Sequence, residues 1–75
     1  MEQELVLLDE AIARKPSGDL YLERGRLLWR LQRYGAAIAD YEKAVALDGP
    51  GSPAAAALQL AREVMAFYHR DLYNP

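Results

Sequence analysis

The sequence predicts an all-α protein of four helices, and three observations support this prediction. Apolar residues recur at three- and four-residue spacing along four segments, and proline or glycine separates most of these segments. No segment alternates apolar and polar residues as a half-buried strand does. The 75 residues are 52% hydrophobic and 27% charged, which is typical of a globular domain. We therefore expect a single domain over residues 1–75.

The first two helices are predicted over residues 2–15 and 19–31. Pro16 ends the first helix because proline cannot continue the hydrogen-bond ladder, and Gly18 lets the chain reverse. In both segments the apolar positions fall on one side at helical spacing, so each helix has a face to bury.

The third helix is predicted over residues 36–47, antiparallel to the second because the connection over residues 32–35 is short. Ser52 is predicted to cap the fourth helix. This helix starts at Pro53, where the missing N–H costs nothing, and extends to about His69.

Two types of helix alternate along the chain. A shift of 33 residues superposes the first helix on the third, and a shift of 36 superposes the second on the fourth. The superposed pairs include Leu5 and Ile38, Leu8 and Tyr41, Gly25 and Ala61, and Leu28 and Val64. The chain therefore contains an internal repeat of a helical hairpin.

One set of residues in the middle of the chain has a recognisable spacing: Tyr21, Gly25, Leu28, Tyr34, Ala37, Ile38, Tyr41 and Ala44, followed by Pro50. This pattern resembles a tetratricopeptide repeat, a helix-turn-helix unit of about 34 residues. The resemblance implies that these residues pack the two helices together. It also implies antiparallel helix pairs stacked as a short right-handed superhelix.

The resemblance divides the domain into parts. These are a half-repeat helix over residues 1–16, a full repeat over 19–50, a C-terminal capping helix over 53–70 and a tail over 71–75. The end of the chain, from Phe67 to Pro75, is similar to the ends of short stand-alone bacterial members of the family, which would make Pro75 a natural C-terminus.

The sequence departs from the family pattern at Arg24, where the family usually has leucine. Two orientations are open for this side chain. It can point inward to an acidic partner such as Asp40 or Glu10, or it can extend to water along its apolar stem.

The residues needed for catalysis are scarce. There is no cysteine and only one histidine, His69, and the two serines are predicted to be turn or cap residues. The neighbouring carboxylates Asp9 with Glu10, and Asp40 with Glu42, are interpreted as solvated helix faces. No glycine-rich phosphate loop and no inward-facing set of metal ligands occurs. We expect no enzymatic activity, no metal and no cofactor.

Arginine is concentrated on the second helix. One face carries Leu22, Arg26, Trp29, Arg30 and Arg33. The resemblance implies that this helix lines a concave groove that holds a peptide or a partner helix. Because arginine binds carboxylates through two parallel hydrogen bonds, and tryptophan is enriched at interface hot spots, the face suits an acidic peptide or a C-terminal carboxylate. Alternatively, Trp29 packs on a neighbouring helix and the arginines only keep the helix soluble.

A second surface is predicted on the first helix, where Leu5, Val6, Leu7 and Leu8 follow one another. Consecutive apolar residues cover more than one face, so part of this cluster is expected to stay exposed. We expect it to form a twofold homodimer. The alternative for the other end of the stack is that Leu72 and Tyr73 fold back over the fourth helix.

The charge balance limits the partners further. Nine basic and eleven acidic residues give a net charge of −2, which argues against general nucleic-acid binding, although a weak contact through the arginine-rich helix is a remote alternative. The acidic start is unlike a signal peptide, and no membrane segment is expected, so cytoplasm is the expected location. The predicted function is that of a protein–protein adaptor or scaffold, with self-association as the alternative.

Overall fold

A computed structural model describes residues 2–73, and the side chains of residues 2–68. Within this part of the chain the protein has no strand and forms four helices. They are α1 (Glu2–Arg14), α2 (Gly18–Arg30), α3 (Tyr34–Asp48) and α4 (Pro53–Tyr73). Each helix packs on the next one along the chain, and α2 also contacts α4. The predicted all-α stack of helical hairpins is confirmed.

The fourth helix is longer than the sequence predicts, because it continues past His69 to Tyr73. No proline or glycine occurs between Ala54 and Tyr73, so nothing in the sequence interrupts the helix there. Leu72 therefore extends α4 instead of folding back over it. The last two residues, 74 and 75, where the sequence predicts the natural C-terminus, lie outside the described part.

The two serines act differently at the helix ends. Ser17 caps α2, because its Oγ accepts a hydrogen bond from the Leu20 N–H at 3.2 Å. The Oγ of Ser52 instead donates to the Gly49 carbonyl at 2.7 Å, so it holds the turn before α4 and does not cap the helix N–H groups as predicted. Gly49 has a φ of 96°, a conformation that favours glycine.

A sharp reversal joins α2 to α3. The Arg33 N–H donates to the Leu28 carbonyl at 2.9 Å, and the Gln32 N–H donates to the Trp29 carbonyl at 3.0 Å. Gln32 has a φ of 64°, so residues 28–33 form a Schellman motif in which glutamine takes the left-handed position that glycine usually occupies. The motif brings α3 back along α2.

The core lies where α2, α3 and α4 meet. Its buried residues are Leu5, Leu22, Leu27, Leu28, Ala37, Tyr41, Ala44, Ala54, Leu58 and Ala61. Of the eight predicted packing residues, Gly25, Leu28, Ala37, Tyr41 and Ala44 are buried, and Tyr21, Tyr34 and Ile38 are half-buried. At Gly25, α2 lies close to α3, because a Cβ atom there would lie 2.6 Å from the ring of Tyr41 and 3.2 Å from the carbonyl oxygen of Ala37.

We expect Gly25→Ala to lower the free energy of unfolding by about 1 to 2 kcal/mol, because the new methyl group forces the buried Tyr41 ring to move and this outweighs the better helix propensity of alanine. Urea unfolding followed by circular dichroism measures the change. Gly35→Ala is the matched control. No atom lies within 4 Å of its Cβ position, so its stability should stay the same or rise. Equal stability of the two variants would contradict the close approach.

Candidate functional site

One ion network joins three helices and fixes the orientation of α2. The guanidinium of Arg24 donates two parallel hydrogen bonds to Asp40, from Nε at 2.7 Å and from Nη2 at 2.8 Å. Its Nη1 donates to Asp9 at 2.9 Å. The side chain therefore points inward, and its partners are Asp40 on α3 and Asp9 on α1, with no hydrogen bond to Glu10.

This network corrects the interpretation of Asp40 as solvated. Asp40 is only 3% exposed, and Asp9, which is half-exposed, is also bound by Arg24. The cause is Arg24 itself, because an arginine at an inward position needs a carboxylate inside the stack. The hydrogen bonds that Arg24 donates to Asp40 raise the pKa of Arg24 above its ordinary value, although partial burial acts in the opposite direction. The charge of Arg24 is thus neutralised by partners within the fold.

A concave groove of about 490 Å³ lies on the other side of α2. We call it the α2–α4 groove. One wall is formed by Arg26 and Trp29 of α2, and Tyr41 of α3 contributes to the floor. The second wall is formed by α4, through Pro53, Ala56, Ala57, Leu60, Ala61 and Val64.

Only two of the five predicted groove residues line the groove. Arg26 and Trp29 line the α2–α4 groove. Leu22 does not, because it is 7% exposed and packs into the core, so its prediction as a partner-binding residue is wrong. Arg30 is exposed one turn beyond Arg26, and Arg33 is exposed past the end of α2.

The two outer arginines face the α1 side. Arg30 lines a smaller pocket of about 290 Å³ between α1 and α2, together with Arg26, Glu4 and Glu23. Arg33 lies 3.5 Å from the carboxylate of Glu2, and both of these side chains are exposed. Such exposed ion pairs contribute little stability, so Arg33 is weakly held in its position.

Trp29 packs on a neighbouring helix and also lines the groove. Its ring packs edge-on against Tyr34, with 4.6 Å between the ring centroids, and it is half-buried. The remaining part of the side chain lines the groove. Packing against Tyr34 restricts the rotamers of Trp29, so a partner would meet an anchor that is already ordered.

The α4 wall was missed in the sequence. Leu60 is 62% exposed, and Ala56 and Val64 follow the same side of the helix. The shift of 36 residues superposes Leu60 on Arg24, which is an inward position. A shift of 34 residues superposes Leu60 on Arg26, and both of these line the groove. The buried residues of the two helices match at 36 and not at 34, since Ala54, Leu58 and Ala61 lie 36 residues after buried residues of α2, so the repeat spacing does not identify this wall.

Positive charge reaches the floor of the groove. Burial raises the pKa of Tyr41 above its ordinary value, and the nearby charges of Arg26 and Arg30 partly oppose this rise. The hydroxyl of Tyr41 is therefore close enough to both arginines for their charges to act on it.

The predicted self-association cluster on α1 is divided in the structure. Leu5 is buried in the core and Leu8 is half-buried against it, so neither is available to a second chain. Val6 and Leu7 remain exposed, with 53% and 64% of their surface accessible. The two faces of α1 differ because only one of them packs on α2.

A metal site and a membrane-spanning helix are both absent from the described residues. Among the described residues no group of three or more His, Asp or Glu side chains could hold a metal ion. No helix in the described range is long and apolar enough to cross a membrane. The side chain of His69 is outside the described part.

Stacked helical hairpins with a concave groove define a helical-repeat protein. The sequence model of the tetratricopeptide repeat family matches residues 18–49, which span α2 and α3, so this helical hairpin is similar to a tetratricopeptide repeat and the resemblance seen in the sequence is confirmed. Repeats of this family generally mediate protein–protein interaction, and the fold is a non-enzymatic one. Comparisons with curated proteins and with solved structures found no match.

We expect Asp40→Ala to lower the free energy of unfolding by about 2 to 4 kcal/mol, because it leaves the guanidinium of Arg24 without its main partner in a largely buried position. Asp9→Ala removes an exposed partner of the same guanidinium and should cost at most about 1 kcal/mol. Urea unfolding of both variants tests the difference. Similar losses would show that the burial of Asp40 has no energetic consequence.

Titration of Tyr41 should make the protein less stable in alkali. Its pKa is raised in the folded state, so the folded protein holds this proton more tightly than the unfolded chain does. The corresponding stability is present below the unfolded pKa of about 10 and is lost as the pH rises above it. In Tyr41→Phe this part of the loss should disappear. Urea unfolding between pH 8 and about 11 measures it, and an unchanged pH dependence would contradict the prediction.

Proposed function

We propose that the protein is a binding module whose α2–α4 groove holds an acidic, partly apolar segment of a protein partner. The observation that carries this proposal is the pairing of two unlike walls. The α2 wall presents Arg26 and Trp29, and the α4 wall presents the exposed Leu60 and the half-buried Val64.

The side chains of each wall indicate which groups a ligand should present to that wall. The guanidinium of Arg26 has planar donors that match a carboxylate, and Arg30 adds a second cation one turn away. Trp29 and Leu60 offer apolar surface for a leucine, valine or phenylalanine side chain. A segment with carboxylates along one edge and apolar side chains along the other satisfies both walls.

Charge availability also supports the proposal. Arg24 is neutralised by Asp40 and Asp9, whereas neither Arg26 nor Arg30 forms an ion pair among the described residues. A carboxylate ligand would therefore not need to displace an internal partner. Because these charges are exposed, the affinity should fall as the salt concentration rises.

Charge reversal in the groove tests the proposal. The variant Arg26→Glu/Arg30→Glu, here the groove-reversed variant, is used as bait in lysate from the source cells beside the wild type. We expect a partner that the wild type retains to be lost, because the reversed groove repels carboxylates. Captured proteins are identified by mass spectrometry, and circular dichroism verifies the helix content of each bait.

The control variant is Lys43→Glu/Arg62→Glu, which changes the net charge by the same amount at exposed residues outside the groove. It should retain the partner. If both variants lose the partner, net charge and not the groove determines binding, and the proposal is wrong. Strongly salt-dependent retention of RNA by the wild type would point to the nucleic-acid alternative instead.

A further inference from the structure

The outer face of α1 carries a stripe that no residue in the described part of the chain covers. Gln3, Val6, Leu7 and Glu10 are spaced i, i+3, i+4 and i+7, so they share one side of the helix. All four are exposed, whereas Leu5 on the opposite side is buried. We call these four residues the α1 stripe. It consists of an apolar pair followed one turn later by a carboxylate.

The α1 stripe has the composition that the α2–α4 groove requires. Val6 and Leu7 offer apolar side chains to the apolar wall around Leu60, and Glu10 offers a carboxylate to Arg26. Over its whole length α1 has four carboxylates against one arginine, so its field is opposite in sign to that of the groove.

The two surfaces cannot meet within one molecule. The buried face of α1, with Leu5 and Ile12, packs on α2, and the ion pair of Asp9 with Arg24 holds it there. The α1 stripe then points away from the helix that forms the groove wall. A second copy of the chain is free of this restriction.

We infer that the groove of one copy binds the α1 stripe of a second copy, so that the protein forms a homodimer through this contact. With twofold symmetry the same contact occurs twice in the dimer. The inference rests on the proposed function, since it names an occupant for the same groove. It has a consequence for the partner, because an external acidic segment competes with the stripe and separates the two copies.

Sedimentation equilibrium and light scattering test the inference on the full chain. We expect the wild type to shift from 8.4 kDa to twice this mass between about 10 and 500 µM, the range in which contacts of modest area become populated. The groove-reversed variant should stay monomeric throughout this range. A wild type that remains monomeric at every concentration would overturn the inference.

A second charge reversal makes the test specific. The stripe-reversed variant, Gln3→Arg/Glu10→Arg, gives α1 a positive outer face and should also be monomeric by itself. Mixed with the groove-reversed variant, it should form a heterodimer, because both contacts then pair opposite charges. Each variant is first checked for unchanged helix content, so that loss of dimer is not loss of fold.

Other outcomes count against the inference. If the groove-reversed variant dimerises as well as the wild type, the α1 stripe pairs with a surface other than the groove. If both variants are monomeric and the mixture stays monomeric, the two surfaces do not meet. The control variant Lys43→Glu/Arg62→Glu should dimerise like the wild type.

The same variants separate this inference from the proposed function. The stripe-reversed variant has an intact groove, so it should still retain an external partner from lysate. If the wild type dimerises through the groove and captures no partner from lysate, self-association is the function of this groove. A captured partner with a wild type that never dimerises overturns the inference and keeps the proposed function.

Discussion

The bidentate pair of Arg24 and Asp40 is the constraint on which the rest of the structure depends. A buried ion pair adds little stability over an apolar pair of the same volume, but losing one partner is costly, so the pair acts mainly on orientation. Successive residues of a helix are rotated by about 100°, which places Arg26 about 200° from Arg24. When Arg24 is held towards α3, Arg26 must therefore face the opposite side, where the groove lies. The inward arginine thus determines which arginine faces the groove.

The packing of α2 on α3 at Gly25 also affects the shape of the groove. The missing Cβ lets α2 approach the ring of Tyr41 closely, and Tyr41 then contributes to the floor between Arg26 and the α4 wall. A larger residue at this position would displace the ring of Tyr41 and thereby change the floor of the groove. The shape of the groove thus results from the packing of the core. Its charge comes from Arg26, which lies outside the core.

The helices and most of the core could be predicted from the sequence, because apolar spacing and the breaks at Pro16 and Gly49 are local signals. The inward turn of Arg24 could not, since its partner Asp40 is sixteen residues away and only the fold brings them together. The α4 wall could not be predicted from the sequence for a different reason. The shift of 36 residues superposes the buried residues of α4 on those of α2, but it places Leu60 on Arg24, which points inward. Only the observed groove shows that Leu60 is exposed and lies on the wall that faces Arg26.

A groove built from one complete repeat is short, and this affects how it can bind. Small contacts of this kind give weak and rapidly exchanging complexes, in which a few anchors carry most of the affinity. Trp29 is held by Tyr34 before any partner arrives, so it contributes surface without a further loss of conformational entropy. Leu60 provides the apolar anchor on the facing wall. If the α1 stripe of a second copy uses these anchors as well, the dimer and the partner complex have comparable contacts, and their relative concentrations decide which of them forms.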